Sequence, residues 1–351
     1  MSPSLSIALI GHGAWGEKIA RSLGNVSRAR LSAVCDPSAQ ARQRARAAAP
    51  GVRVAARLDE VLDADAAIIA TPPESHARLA QAALEAGLDV MVEKPMALSL
   101  VEARRLERAA QSARRVLMVG HILEYHPAVV ELRRLIAAGT LGEVRLVISE
   151  RLGRSPTRHE SAWWSLAPHD ISVLRFLTGH TPARVALAGF GGSDVAAARI
   201  DCREGSLGLA HLSTVDAQKV RRVVVVGSER VAVFDDLNVE RRLTLIDADQ
   251  IGRARLADVV GLARGYVPGA HGAADVLDGV APGRWLVAGA GQAIHVAPRA
   301  PLELEAEHFV AGVLDARPVQ SNGQSGREVV AVLEAGQRAL CEARPVEVAL
   351  D

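Results

Sequence analysis

Along the first third of the chain, short apolar runs alternate with longer segments of helical period. That alternation predicts a parallel sheet with helices on both faces. Strands are expected at 5–10, 30–35, 52–56, 66–71, 89–93 and 116–120. Between them the period changes to 3.6 residues, predicting helices near 14–24, 38–48, 74–86 and 99–114, the last opened by Ser99 as N-cap. Six strands make a complete dinucleotide-binding unit.

After His121 the rhythm changes. A helix is expected from Pro127 to Ala138, a strand at 143–150, a loop rich in Arg and Ser, and a helix from His169 to Leu177. Strand-like segments follow at 183–190, 195–203, 207–213, 221–226, 230–234 and 241–246, with turn pairs such as Glu204-Gly205 and Gly227-Ser228 between them, which reads as an antiparallel sheet. Residues 250–300, rich in Gly, Ala and Pro, carry no clear period, and helices at about 303–316 and 324–343 close the chain. The expected class is α/β: a doubly wound parallel sheet over residues 1–122, then an α+β domain over 123–351 with an open, mainly antiparallel sheet. A chain of 351 residues exceeds one ordinary core, which leaves two domains or one large one, and the change of rhythm favours two.

Charge narrows the partners. The 41 Lys and Arg balance 40 Asp and Glu, for a net charge of +1, and the two signs are interspersed. No basic face for nucleic acid and no polybasic membrane tail emerges, which leaves a small molecule as the expected ligand. The start of the chain lacks a signal-peptide pattern and no run of 18 apolar residues occurs, so a soluble, cytoplasmic protein is expected. Cys35, Cys202 and Cys341 lie far apart without metal-ligand spacing, so neither a disulfide framework nor a metal site is expected.

The candidate chemistry begins at "ALIGHGAWG", where Gly11, Gly13 and Gly16 stand in G-x-G-x-x-G spacing between a strand and a helix. Glycines there let the backbone turn tightly and approach a pyrophosphate held by the helix N-terminus, with Ala14 and Trp15 in the same loop. Twenty residues after Gly16, Asp36 ends the second strand, where a carboxylate accepts both ribose hydroxyls of an adenosine and repels a 2′-phosphate. NAD is therefore expected over NADP. Thr71 and Pro72, at the end of the fourth strand, are placed beside the cofactor, with His76 either a cofactor contact or a partly exposed helix residue.

Only three of the 41 basic residues are lysines: Lys18, Lys94 and Lys219. Lys94 ends the fifth strand in "VEKP", in the crevice where a nicotinamide lies, and an ammonium can exchange a proton where guanidinium cannot. Beside an apolar pocket its pKa is expected to fall towards neutrality, with Glu93 orienting it or partly neutralising it. In "SAWWSLAPHDISVLRFLTG", His169 is read as opening a helix whose dipole favours the neutral, proton-accepting imidazole. Asp170 is read as a dipole partner, and Trp163 and Trp164 as wall and core.

These residues resemble the glucose-fructose oxidoreductase, inositol dehydrogenase and rhizopine catabolism family, Gfo/Idh/MocA. The resemblance runs over nearly the whole chain, through "GHGAWG", "CDP", "ATPPESH", "VEKPMALS", "APHDIS" and the closing "EAEHFVAGVLDARPVQSNGQSGREVVAVLEAGQRAL". It implies a Rossmann domain followed by an α+β domain often used for oligomerisation, here a homodimer or homotetramer. It also implies a Glu-Lys-Pro motif, matched by Glu93, Lys94 and Pro95, whose lysine helps bind and deprotonate a sugar or cyclitol hydroxyl, and a histidine matched by His169. Ser165 stands where many members carry an aspartate, and Glu124 where many carry an arginine. The first leaves proton transfer to Lys94 and His169; the second implies a different substrate contact, with His121, Tyr125, Trp164 and Ser165 as candidate lining residues. "HILEYHPA" with "AWWSLAPHDISV" resembles a branch that includes UDP-N-acetylglucosamine 3-dehydrogenases and related nucleotide-sugar oxidoreductases. Arg151, Arg154 and Arg158 are then candidates for a substrate diphosphate. The implied activity is hydride transfer between nicotinamide and a sugar ring carbon. A keto-sugar, cyclitol or imine reductase, and a non-catalytic NAD-bound sensor or scaffold, are the alternatives.

Overall fold

The computed structural model describes residues 3–154, 161–190, 194–247, 249 and 291–350. The chain divides into two compact units, the first made of residues 1–125 with 299–330 and the second of 126–298 with 331–351.

The first unit is built on six parallel strands: β1 (Leu5–Ile10), β2 (Ala29–Cys35), β3 (Arg53–Ala55), β4 (Ala66–Ile69), β5 (Asp89–Glu93) and β6 (Leu117–Gly120). They lie in the order β3-β2-β1-β4-β5-β6, so the winding reverses between β1 and β4. Helices α1 (Ala14–Leu23), α2 (Ala39–Ala48), α3 (His76–Glu85) and α4 (Leu100–Ala113) connect the strands. Ser38 and Ser99 cap α2 and α4, each hydroxyl accepting a backbone N–H three residues on. Each expected strand and helix of this unit is present, with ends displaced by one or two residues.

Side-chain alternation along the strands explains the layering. Ala8, Ile10, Ile69, Val90, Val92 and Val119 face α3 and α4, which contribute Leu79, Ala83, Ala103 and Leu106. Ile7, Leu9, Ile68, Met91 and Met118 line the opposite face. There α1 supplies Ile19 and Leu23, and α2 supplies Ala45. Because α3 and α4 both lie on the first face, the β4–β6 side of the second face needs another cover. Helix α7 (Pro301–Leu314) provides it through Ala306, Phe309 and Val310. Phe309 is fully buried, and Ser321 then bonds β6 through its own carbonyl and hydroxyl. This division differs from a single cut after residue 122, because residues 123–125 and 299–330 complete the core of the dinucleotide-binding unit.

The second unit carries a nine-stranded sheet. Its strands are β7 (Val144–Arg154), β8 (Pro182–Phe190), β9 (Val195–Cys202), β10 (Leu207–Ser213), β11 (Val215–Gly227), β12 (Arg230–Asp235), β13 (Leu243–Asp247), β14 (Gln292–Ile294) and β15 (Val346–Glu347). The order is β14-β13-β12-β11-β7-β10-β9-β8-β15, antiparallel throughout except for the parallel β7–β10 pair. Helices α5 (Pro127–Ala137) and α6 (Ala162–Thr178) pack against it, and α8 (Gly323–Glu342) passes from the first unit into the second after Val330. Leu174 of α6 sits so close to β10 that a Cβ at Gly208 would approach its Cδ2 to 2.7 Å. Trp163 packs against Gly336 of α8, where a Cβ would overlap the indole, and its N–H donates to the Leu333 carbonyl at 2.8 Å.

The expected helix from His169 is longer than its apolar pattern indicated. It begins at Ala162, capped by the Ser161 hydroxyl on the Trp164 N–H, and continues through Pro168. Proline lacks an N–H for the carbonyl four residues earlier, which is why it reads in sequence as a helix start. Here burial of Trp163, Ala167 and Ile171 along one face outweighs that lost bond. The three cysteines are free thiols; Cys35, buried at the end of β2, is pushed up to about 11 by desolvation.

Candidate active site

Three of the expected cofactor positions meet at the carboxyl end of β1. Gly11 has φ +93°, and a Cβ there would come within 2.5 Å of the Ala70 carbonyl oxygen, so the turn itself requires glycine. At Gly16 a Cβ would stand 2.2 Å from the Gly11 carbonyl oxygen, so the close approach of helix to turn requires it too. Gly13 is different: its φ of −76° suits any residue, and nothing lies within 4 Å of a Cβ built there. The fold does not need that glycine. The open space beside it at the start of α1 leaves room for a ligand backbone such as a pyrophosphate.

Asp36 faces the same loop. One carboxylate oxygen accepts the His12 N–H and the other the Ser38 N–H, each at 2.8 Å. A carboxylate oxygen has two lone pairs, so acceptor capacity is left for a pair of hydroxyls. Arg42 donates to the carbonyls of Asp36 and Pro37, both at 2.8 Å. The residues present therefore fit the adenosine and pyrophosphate of a dinucleotide.

Across the reversal point, Glu93 ends β5 and Lys94 follows it, half-buried, with a cis peptide bond to Pro95. The Glu93 carboxylate is folded back against Gly120, accepting the Trp15 indole N–H and, at 3.2 Å, the Lys94 N–H. Trp15 thus ties the glycine loop to the Glu-Lys-Pro segment. Burial pushes the Glu93 carboxyl upward, against the opposing pull of the indole and of the Lys94 charge. Lys18 stacks over the Trp15 ring with its ammonium 5.3 Å from the centroid.

His76 is neither exposed nor turned to the surface. Its two ring nitrogens stand 2.8 Å from the Pro95 and Thr71 carbonyl oxygens, and the ring is buried. Desolvation lowers its pKa, so the neutral ring donates to one carbonyl and braces the Thr71 turn against the Glu-Lys-Pro segment. Thr71 pairs with the Ser75 hydroxyl at 2.6 Å, and Pro72 is exposed.

Tyr125 is a correction. Its hydroxyl is paired with Ser321 at 2.8 Å, and its ring lies in the core beside His308, with centroids 5.2 Å apart. It packs the cover helix rather than presenting a hydroxyl to a substrate. His121 and Glu124 are buried in the same region. Beside them is Glu305, absent from the sequence expectations: it is fully buried, and neither carboxyl oxygen has a hydrogen-bond partner among the described residues. The available signal was its place on the apolar stripe Leu302, Ala306, Phe309 and Val313, where a carboxylate has no reason to be unless buried.

In the second unit His169 is the eighth residue of α6, well inside the helix, so the expected effect of a helix N-terminus does not apply. Ser165 lies one turn earlier, and both residues are half-buried on one helix face. The Trp164 indole N–H points to the Gln337 side-chain oxygen at 3.3 Å. Asp170 is no dipole partner. It is buried in an ion pair with Arg151 at 3.1 Å and also accepts the Ser149 hydroxyl. Arg151 is thereby committed within the core and is not available to a diphosphate, while Arg154 is exposed and Arg158 lies outside the described residues. Arg151→Ala, which strands the buried Asp170 charge, is expected to cost about 3–5 kcal/mol of unfolding free energy, whereas Arg151→Met with Asp170→Leu recovers most of it. Urea unfolding checks this, and a loss below about 1 kcal/mol for the single variant would mean that the pair behaves as an exposed one.

A doubly wound sheet with a glycine cradle, an acid at the second strand and a lysine in the crevice defines a nicotinamide-dependent oxidoreductase. Residues 5–121 match the family model described as "Oxidoreductase family, NAD-binding Rossmann fold", and residues 129–233 match the GFO/IDH/MocA C-terminal domain. The chain belongs to the Gfo/Idh/MocA family. It is 29% identical to the UDP-N-acetylglucosamine 3-dehydrogenase of Acidithiobacillus ferrooxidans over 77% of this chain and 76% of that one. It is also 31% identical to inositol 2-dehydrogenase 1 of Saccharopolyspora erythraea, over 56% of this chain and 61% of that one. Among solved structures, the Acidithiobacillus ferrooxidans enzyme matches with a TM-score of 0.78 at 26% identity, covering 96% of this chain and 98% of that one. The scyllo-inositol dehydrogenase of Lactobacillus casei, solved with NAD(H) and scyllo-inositol, shares the fold with a TM-score of 0.77 at 16% identity, covering 98% and 99%. The protein is an oxidoreductase of this family, and the relatives named here are dehydrogenases. Among the described residues, no helix is long and apolar enough to cross a membrane, and no His/Cys/Asp/Glu cluster suits a metal ion.

Proposed function

We propose that the protein is an NAD-dependent dehydrogenase acting on a sugar ring hydroxyl, with C3 of a UDP-amino sugar as its substrate position. The observation that carries the cofactor half is the open cradle over Gly13 facing the Asp36 carboxylate. Asp36 repels a 2′-phosphate, and Arg42, which could attract one, is engaged with two backbone carbonyls, which supports NAD over NADP. When bound, the nicotinamide supplies the hydride acceptor. Gly11, Gly13, Ala14, Trp15 and Gly16 cradle the dinucleotide, with Thr71, Pro72 and Glu93 along its nicotinamide half.

In this reading Lys94 holds the substrate hydroxyl and steadies the developing alkoxide, and His169 takes the proton. Ser165, one turn before His169, is a candidate substrate contact, with Trp164 and His121. The sugar-nucleotide assignment is supported by the similarity to the Acidithiobacillus ferrooxidans enzyme over three quarters of both chains. A cyclitol dehydrogenase is the second reading, supported by several inositol 2-dehydrogenases 30–35% identical over about half of the chain.

The test is an NADH-fluorescence screen of UDP-sugars, free sugars and inositols with NAD and with NADP. Reduction of NAD by UDP-N-acetylglucosamine is the expected result. Turnover of inositol alone would establish the second reading, and cofactor binding without turnover of any class would point to a sensor.

A further inference from the structure

Three carboxyl groups are buried together on one side of the first unit: Glu93 at the end of β5, Glu124 in the turn after β6, and Glu305 on α7. Two of these residues have defined hydrogen-bonding roles. Glu93 accepts the Trp15 indole and the Lys94 N–H, and the backbone carbonyl of Glu124 accepts the Gln320 amide at 3.0 Å. Glu305 is fully buried and its carboxyl has no donor near it among the described residues. An isolated carboxylate in such a place costs several kcal/mol, so the group keeps its proton instead.

The surroundings all favour that outcome. Glu93 and Glu124 face Glu305 from the sheet end and the turn, and both are acids that resist a further negative charge. Lys94 acts on Glu93 from the end of the same strand. Tyr125 lies on the turn, with its hydroxyl on Ser321, and burial keeps that phenol un-ionised. His121 is buried at the end of β6. On α7 itself, His308 is kept neutral by burial, its Nε2 accepting the Gln320 N–H at 3.0 Å. Helix α1, which packs on α7, presents Ile19 and Leu23 to the shared core, while its Glu17 is turned to Arg44. Desolvation is the largest cause raising the Glu305 carboxyl well above its usual range, followed by the charges of Glu93 and Glu124.

We propose that Glu305 stores a proton in the cofactor-free protein at neutral pH and releases it to solvent when the positively charged nicotinamide of NAD binds, leaving a second carboxylate behind Glu93. The inference rests on the NAD reading, which places the nicotinamide at the carboxyl ends of β4 to β6. The step balances simply: the Glu305 carboxylic acid becomes a carboxylate, and its proton goes to the buffer. A nearby cation favours the ionised form of an acid, whereas reduced nicotinamide is neutral and does not. By reciprocity, NAD affinity rises with pH while NADH affinity stays flat, so the site favours the oxidised cofactor at alkaline pH.

Two measurements test this on the full chain with wild type and Glu305→Gln, whose amide mimics the neutral acid. In the first, calorimetric titration in two buffers of different ionisation enthalpy counts protons released per cofactor bound. Wild type is expected to release at least about 0.3 proton per NAD somewhere between about pH 6 and 9, with none for NADH and little for Glu305→Gln. Equal release by both proteins, or equal release with NAD and NADH, overturns the proposal. If neither cofactor binds, the NAD reading fails and the release step falls with it.

The second measurement needs no cofactor. A carboxyl whose folded-state pKa lies above its unfolded value holds a proton that the unfolded chain has already lost, so stability falls as pH rises from about 4.5 towards the folded value. Glutamine has no such penalty. The melting temperature of Glu305→Gln relative to wild type is therefore expected to rise by about 3 °C between about pH 5 and pH 8. A difference that stays level or falls over that range means Glu305 is ionised in the folded protein, and overturns the proton store even if NAD binds as expected.

Discussion

Lys94→Ala is expected to lower kcat by about 10²–10⁴-fold, the usual contribution of a positioned acid–base group. NADH affinity should change little, because in the proposed reading the dinucleotide is held by the glycine cradle and Asp36, on the other side of the chain reversal. The Lys94 backbone N–H is bonded to Glu93, and this bond survives any side-chain replacement. Lys94→Arg separates two roles. Guanidinium keeps the positive charge but cannot give up a proton, so recovery of the rate by arginine would reduce Lys94 to a charged anchor, and continued loss would support proton exchange. Initial rates with the substrate found in the screen, beside an NADH fluorescence titration, make the measurement. A near wild-type kcat for Lys94→Ala would sink the mechanism.

The second large effect is expected at Gly16. A methyl group there would stand 2.2 Å from the Gly11 carbonyl oxygen and 3.0 Å from its carbon, both backbone atoms of a turn that is itself wedged against Ala70. Neither side can yield without opening the loop. Gly16→Ala is therefore expected to lower NADH affinity at least about 100-fold, or roughly 2.7 kcal/mol, and to destabilise the unit by about 1–3 kcal/mol through overpacking. Gly13→Ala is the informative companion. Its backbone is ordinary and its Cβ meets nothing within 4 Å, so it should fold with wild-type stability and lose affinity only through the dinucleotide. Thermal unfolding with NADH titration of both variants tests this, and wild-type NADH binding by Gly16→Ala would mean that the loop is not the cradle described.

Much of the first unit was legible in the sequence. Alternating runs and helical periods marked its strands and helices to within one or two residues, because a parallel sheet covered on both faces needs continuous apolar strands. The second unit was legible as strands, but with less exact ends. Strand β11 begins at Val215, before its apolar run, and its first five residues are mostly exposed, so no apolar pattern marks them. The start of helix α6 is hidden in the sequence because Pro168 reads locally as a helix start, and the burial of Trp163, Ala167 and Ile171 shows why the helix runs through it. His169 therefore loses the environment expected for it at a helix N-terminus, while gaining Ser165 as a neighbour one turn away.

Side-chain commitments were less legible than elements. Arg151 and Asp170 are ordinary charges in the sequence, and nothing local says that they meet; the pairing depends on α6 lying across β7. Tyr125 is a candidate lining residue because Glu124 beside it replaces the arginine of many members, yet its hydroxyl is taken by Ser321, nearly two hundred positions away. Glu305 stands between Glu303 and Glu307 in a closing helix, ordinary acids in the sequence.

By itself the sequence determined what depends on neighbours along the chain. It placed the strands, the glycine turn, the acid at the end of β2 and the lysine after β5, because side-chain period and motif spacing act over a few residues. The tertiary structure decided which distant surfaces share a core. Two crossover helices lie on one face of the parallel sheet, so α7 had to return from the far end of the chain to cover the other, and it carried Glu305 into a buried place without a donor among the described residues. The apolar stripe of its own helix marks Glu305 for burial, but the acids it meets there are set by all the elements around it.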